Sequence, residues 1–216
     1  MNMFEAKKEA DKLLGESMCK TLELRGFKAC YAADGKEACE IALGLIDAGS
    51  SVGIPGSVTV RQIGLPQRLE EEKGCKINQH WKPGLSPQER KAVLVDEFNS
   101  DWFVTSANAL SKDGTIVNID GTGNRVSAMA WAPGKIIYII SINKITEDTA
   151  SAIQRVKDRT APANALRLGS KTACSLTGRC VDCKAPTRIC RVTTLTEYAP
   201  LNRECHVILV GEELGY

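Results

Sequence analysis

The chain of 216 residues carries almost no net charge, +2 at neutral pH. That removes any general electrostatic case for nucleic acid or an acidic membrane surface as partner. It also lacks a long hydrophobic run. The longest, Ile136 to Ile142, is interrupted by Ser141 and falls far short of the about 20 residues that span a bilayer, so no membrane association is expected. Met1 to Lys8 has charge but no apolar segment behind it, so no secretory signal is expected and the cytoplasm is the expected location. Histidine is scarce: there are two, His80 and His206. Neither has a serine or cysteine nucleophile motif beside it, and a structural role is expected for both. There is no Walker A sequence, and Gly121-Thr-Gly-Asn-Arg125 is not a G-x-G-x-x-G fingerprint after a first strand. A dinucleotide-binding Rossmann domain is therefore not expected. With no internal repeat, linker or low-complexity tract, residues 1–216 read as one domain.

Cysteine is abundant by contrast. Nine is an odd number and does not suit a closed disulfide framework, least of all in a cytosolic chain. Five are scattered and read as small buried hydrophobes. The other four, Cys174, Cys180, Cys183 and Cys190, fall in a Cys-rich loop over residues 170–192. Cys180 and Cys183 have the C-x-x-C spacing that lets two thiolates clasp one metal, and Cys174 and Cys190 could complete the set. The overall spacing matches neither a zinc ribbon nor a ferredoxin run. Zinc, an iron–sulfur cluster, a redox pair and inert thiols all remain open.

Apolar periodicity and turn residues give an alternating order of helices and strands. An N-terminal helix within 1–26 shows Phe4, Leu13, Leu14, Met18, Leu22 and Leu24 on one side, with Gly26 as its stop. A strand over Phe27–Ala32 and a helix capped by Asp34 follow. A strand ends near Ile54, and Ser57-Val58-Thr59 opens a short helix. Leu65 to Lys73 reads as helix and Cys75 to Trp81 as strand. Ser86, Pro87 and Glu89 form a capping box for a helix ending near Asn99. Trp102 to Ala107 is a buried strand, Thr115 to Ile119 either pairs back as a hairpin or bends away, and Val126 to Trp131 is a short helix. Lys135 to Asn143 reads as a strand buried on both faces, as in a parallel sheet. A long helix capped by Asp148 runs to about Thr160, and Val207 to Val210 closes the chain. This is the pattern of an α/β domain.

The stretch Asp113 to Arg125 stands out, because its strand breaks into Asp120-Gly-Thr-Gly-Asn-Arg125. Gly121 and Gly123 let backbone approach a ligand closely, while Asn124 and Arg125 can orient and charge-pair an anion. Three more polar clusters fall at expected C-terminal ends of strands: Gly56-Ser57-Val58-Thr59, Ser106-Ala107-Asn108 and Ser141-Ile142-Asn143-Lys144. Open α/β sheets place ligands at such ends. If the sheet gathers them, Ser57 and Thr59 receive an anion, Arg125 and Lys144 supply charge, and Asn108, Asn124 and Asn143 supply amides. Asp120 is the carboxylate placed for acid–base work, though it could equally fix its loop by accepting backbone N–H bonds.

Trp102 to Lys144, with its S-A-N-A-L and D-G-T-G-N-R segments, resembles the lactate-utilisation (LUD) domain family. So do Gly53-Ile-Pro-Gly-Ser-Val-Thr59, Thr177 to Cys183, Arg188-Ile-Cys190 and Val207 to Gly215. The resemblance implies a three-layer fold with a mostly parallel sheet flanked by helices, like that of sugar-phosphate isomerases and CoA transferases. It also implies a part in oxidising lactate, as an accessory subunit beside iron–sulfur oxidoreductase subunits, and it admits a homo-oligomer. Three functions follow as expectations: an accessory subunit binding a small anionic ligand, an isomerase- or transferase-type enzyme on a phosphorylated or CoA-linked substrate, or a metal-binding redox module.

Overall fold

The computed structural model describes residues 1–216. Helix α1 (Met3–Leu24) opens on a reciprocal capping box in which Asn2 and Glu5 each accept the other's backbone N–H at 2.9 Å. Its buried face is Gly15, Met18, Cys19 and Leu22. The expected apolar side is only half right, since Phe4, Leu13 and Leu24 are exposed. A helix of this length reaches about 33 Å, twice the span of the strand it covers, so its ends overhang the sheet. Contact is made where Gly15 lets the helix settle on Tyr31. A Cβ at that position would come within 2.3 Å of the Tyr31 ring.

The chain continues through β1 (Lys28–Ala32), α2 (Gly35–Leu45), β2 (Ser51–Gly53), α3 (Val58–Gln62), α4 (Leu65–Lys73), β3 (Lys76–Asn78) and α5 (Pro87–Phe98). Next come β4 (Trp102–Thr105), β5 (Ala109–Ser111), β6 (Ile116–Asp120), α6 (Asn124–Ala130), β7 (Lys135–Ser141) and β8 (Ile145–Thr146). The last elements are α7 (Thr149–Arg155), α8 (Ala161–Arg167), α9 (Ala173–Thr177), β9 (Val192–Thr196) and β10 (Cys205–Val210). Between α7 and α8 the helix widens into a π turn, Val156–Thr160. Pro162 explains it, because proline lacks an N–H and its ring crowds the carbonyl four residues back. The helix thus continues to Arg167 rather than ending near Thr160.

Six strands form one wholly parallel sheet in the order β1-β10-β7-β4-β2-β3. Alternate residues of β7 enter opposite cores. Ile137 and Ile139 join the cluster under α2, α3 and α4, while Ile136, Tyr138 and Ile140 join Met18, Leu22, Val126 and Met129 on the other face. These are the three layers expected of the chain. Of a second, four-stranded sheet, β8-β5-β6-β9, the sequence pattern offers only β6 and, as one of two alternatives, its hairpin pairing. In it β5 and β6 pair back as a hairpin, and its small core of Ala109, Val117, Ala152 and Val156 packs on α7. The chain passes from the tip of β4 directly into β5, so this second sheet stands over the C-terminal ends of the parallel strands. No helix is long and apolar enough to cross a membrane.

Candidate functional site

The tips of β2, β4 and β7 lie side by side in the parallel sheet, so the segments that follow them converge. Thr59, Ser106 and Lys144 meet there and are all buried. The Lys144 ammonium donates to Thr59 Oγ1 and Ser106 Oγ, each at 2.9 Å, and has no carboxylate partner. Desolvation by burial, helped by the nearby guanidiniums of Arg155 and Arg125, pushes Lys144 down from the ordinary lysine value to about 7. Ser57 caps α3 by accepting Val60 N–H at 3.3 Å. The chain's last residues are drawn to the same place: Leu214 N–H donates to Ser141 Oγ at 2.9 Å, which sets Gly215 against Lys144 and Thr59.

Opposite stands the loop after β6. Asp120 accepts Gly121 N–H at 2.8 Å on one oxygen and Arg125 N–H at 2.9 Å on the other, so its carboxylate fixes the loop and the start of α6. Arg125 Nη2 donates to the Ile119 carbonyl at 2.9 Å, and its Nε lies 3.6 Å from Asp120. The Asn108 side chain accepts Ile119 N–H at 2.8 Å, so its oxygen is spent on holding β6. Thr122 donates to Asn124 at 2.6 Å. Arg155 straps these parts together, donating to the carbonyls of Asn143 (3.1 Å) and Asn108 (2.8 Å) and to Thr160 Oγ1 (3.1 Å). Burial pushes its guanidinium down from the usual arginine value.

Together these walls enclose a cavity of about 270 Å³. Of the residues singled out from the sequence, Gly56, Ser57, Thr59, Asn108, Asp120, Gly121, Asn124, Arg125 and Lys144 line it. Gly123 instead precedes α6 as its N-cap, and Asn143 lies behind Arg155 with its side-chain oxygen buried and unpartnered. Lys144, which in isolation reads as a solvated lysine, is 3% exposed.

The structure adds residues that sequence reasoning missed. His80 lines the cavity, and the buried Glu97 on α5 accepts both its backbone N–H and its Nδ1 at 2.7 Å. No local motif links residues that are 17 apart across a loop. Trp81 also lines the cavity, with the guanidiniums of Arg61 and Arg167 over its ring at 4.9 and 4.4 Å. Gly56 makes room for that indole: its φ is +82°, and a Cβ there would come within 1.8 Å of Trp81 Nε1. The π turn brings Thr160, Asn164 and Arg167 to the rim. His206 sits apart, with Nε2 2.7 Å from Glu204 at the opposite end of the sheet.

The four loop cysteines do not gather. Cys174 is buried beside Thr172 at 3.3 Å, Cys180 accepts Asp182 N–H at 3.3 Å, and Cys190 lines the cavity. Nowhere are three His, Cys, Asp or Glu side chains grouped as metal ligands would be. An arginine organises the loop instead. Arg188 donates to the carbonyls of Cys183 (2.8 Å) and Cys190 (2.9 Å) and to Cys190 Sγ (3.4 Å). This arrangement does not fit a four-thiolate centre.

The sequence profile of the LUD domain family matches residues 15–210. A search of curated proteins gave no match. Among solved structures, a DUF162 family protein from Deinococcus radiodurans is similar at 17% identity, with 93% of this chain and 98% of that chain covered and a TM-score of 0.51, which supports the fold. Ribose 5-phosphate isomerase A from Methanocaldococcus jannaschii is more distant, at 14% identity, 83% and 94% coverage and a TM-score of 0.40. The translation initiation factor eIF-2B of Pyrococcus horikoshii is more distant still, at 19% identity, 54% and 49% coverage and a TM-score of 0.37. Neither of these weaker likenesses bears on function.

Proposed function

Because this chain belongs to the LUD domain family, and is thus a lactate-utilisation-type protein, we propose that it is an accessory subunit of 2-hydroxy-acid oxidation whose cleft binds a small carboxylate anion. The iron–sulfur oxidoreductase subunits of such a system would be its partners. One observation carries the anion reading: the balance of charge in the cavity. Lys144, Arg125 and Arg167 line it, and Asp120 is its only acidic side chain. Both Asp120 oxygens are already engaged by backbone N–H groups. An enclosed site with more cationic than acidic side chains favours a ligand that brings negative charge of its own. The same engagement of Asp120 gives little support to an isomerase- or transferase-type reaction with that residue as acid or base.

Thermal unfolding in the presence of L-lactate, pyruvate and inorganic phosphate tests the reading. A ligand that binds the native state raises the melting temperature by mass action. A saturable rise with a carboxylate, absent in Arg125→Gln, is the expected result. No rise with any of the three anions counts against it.

A further inference from the structure

We propose that Lys144 is a nucleophilic amine, and that it forms a covalent imine with the carbonyl carbon of a 2-oxo acid held in the cleft. The proposal rests on the anion-binding reading above and goes beyond it, since an anion site needs no reactive amine.

The geometry is that of a lysine kept for chemistry rather than for pairing. Lys144 lines the cavity, and the neighbours of its Nζ, Thr59 and Ser106, are hydroxyls that accept two of its hydrogens. A lysine serving only stability would be expected to face a carboxylate, because a buried unpaired ammonium is costly. Here the charged neighbours are the guanidiniums of Arg125 on α6 and Arg155 on α7, both of the same sign. Desolvation beside another cation is the recognised way to free a lysine amine for attack on carbonyls. Consistent with this, the group titrates near neutrality. Gly215 packs closely beside the amine, and a larger residue there would crowd it, since a Cβ would stand 2.9 Å from Nζ and 2.5 Å from Thr59 Oγ1.

The class of ligand follows from what surrounds the amine. The guanidinium of Arg125 lines the same cavity and can hold a carboxylate. A carbonyl directly bonded to that carboxylate, as in a 2-oxo acid, is then within one bond of the anchored group. The Nζ lone pair forms the bond to the carbonyl carbon. The carbonyl oxygen leaves as water with the amine's two hydrogens, and the C=N bond remains. No oxidant or reductant enters the step.

Reductive trapping tests it. The full chain is incubated near neutral pH with pyruvate and sodium cyanoborohydride, which reduces an imine but spares the free 2-oxo acid, then analysed by intact mass and peptide mapping, with melting temperature measured on pyruvate alone. The expected result is a single reduced adduct on Lys144. It should disappear in Lys144→Arg, and excess L-lactate, which has no carbonyl to trap, should suppress it. An amine titrating near 7 is about half free at neutral pH, whereas an ordinary lysine is free to roughly one part in a few thousand, so labelling should fall on Lys144 in preference to the surface lysines. If Lys144→Arg does not fold, suppression by lactate on the wild-type protein, with the adduct mapped to Lys144, serves in its place. Stabilisation by pyruvate with no adduct, or with adducts spread evenly over surface lysines, overturns the imine and leaves the anion site standing. Neither stabilisation nor adduct overturns both.

Discussion

Thr59 and Lys144, 85 positions apart in the chain, meet in a buried hydrogen bond of 2.9 Å. The contact joins the first turn of α3 to the segment after β7, and it places a lysine without a counter-ion inside the fold. The folded-state value of Lys144 is about 7, below its ordinary 10.5. Between those values the unfolded chain holds a proton that the folded chain lacks, so this residue's contribution to stability rises with pH, by at most about 1.4 kcal/mol per unit. Below the folded value both states are protonated and the full penalty applies. Chemical denaturation of wild type and Lys144→Met from pH 6 to 9 should therefore show a stability difference that favours the variant most at the acid end and shrinks with pH. Thiols such as Cys205, pushed up by burial to about 11, act in the opposite sense but are common to both proteins and cancel in the difference. A difference independent of pH contradicts a lysine titrating near neutrality.

Gly56 is held at a positive φ directly beneath Trp81. Gly56→Ala introduces left-handed strain and a clash with a packed indole, at a combined cost of about 2–3 kcal/mol. The loop after β2 must also shift, so the variant should lose both melting temperature and any carboxylate-dependent stabilisation. Wild-type stability in urea unfolding argues against this packing.

Glu97 is 2% exposed and takes two hydrogen bonds from His80. Glu97→Ala removes the acceptor of both donors and frees the loop that carries Trp81. A loss of about 2 kcal/mol is expected, less than for a fully buried pair because His80 reaches solvent. The measurement is urea unfolding, and a change within about 0.5 kcal/mol, the range of ordinary surface substitutions, would show that the pair is incidental.

Much of the frame could be read from local pattern. The run Lys135–Ser141 is apolar at consecutive positions because both its faces are buried, and the hairpin from β5 to β6 is announced by Asp113-Gly114. The polar tips after β2, β4 and β7 were also legible, because turn and cap residues interrupt apolar strands there. Other features depend on distance in the sequence. The exposure of Phe4, Leu13 and Leu24 follows from where Tyr31 meets Gly15, which no helical period contains. Strand β9, Val-Thr-Thr-Leu-Thr, has a weak apolar signature and gains its place by pairing with β6. The His80–Glu97 pair and the arginines around Trp81 are assembled only by the loop returning over the sheet. The burial of Lys144 belongs to the same class, since a lysine after Ser-Ile-Asn carries no mark of burial until Thr59 and Ser106 are brought against it. The C-x-x-C spacing had the opposite fault. It was visible but did not decide whether the sulfurs converge, and here Arg188 holds the loop.

Everything proposed for this chain depends on one cleft, walled by the strand tips and the loop after β6, receiving a small carboxylate. Backbone amide shifts of the isotope-labelled protein, followed through a titration with pyruvate, report on that cleft residue by residue. Saturable shifts concentrated at Gly56 to Thr59, Asn108 and Gly121 to Arg125, and their loss in Arg125→Gln, are the expected result. Shifts centred elsewhere, or none at concentrations that saturate ordinary carboxylate sites, contradict it.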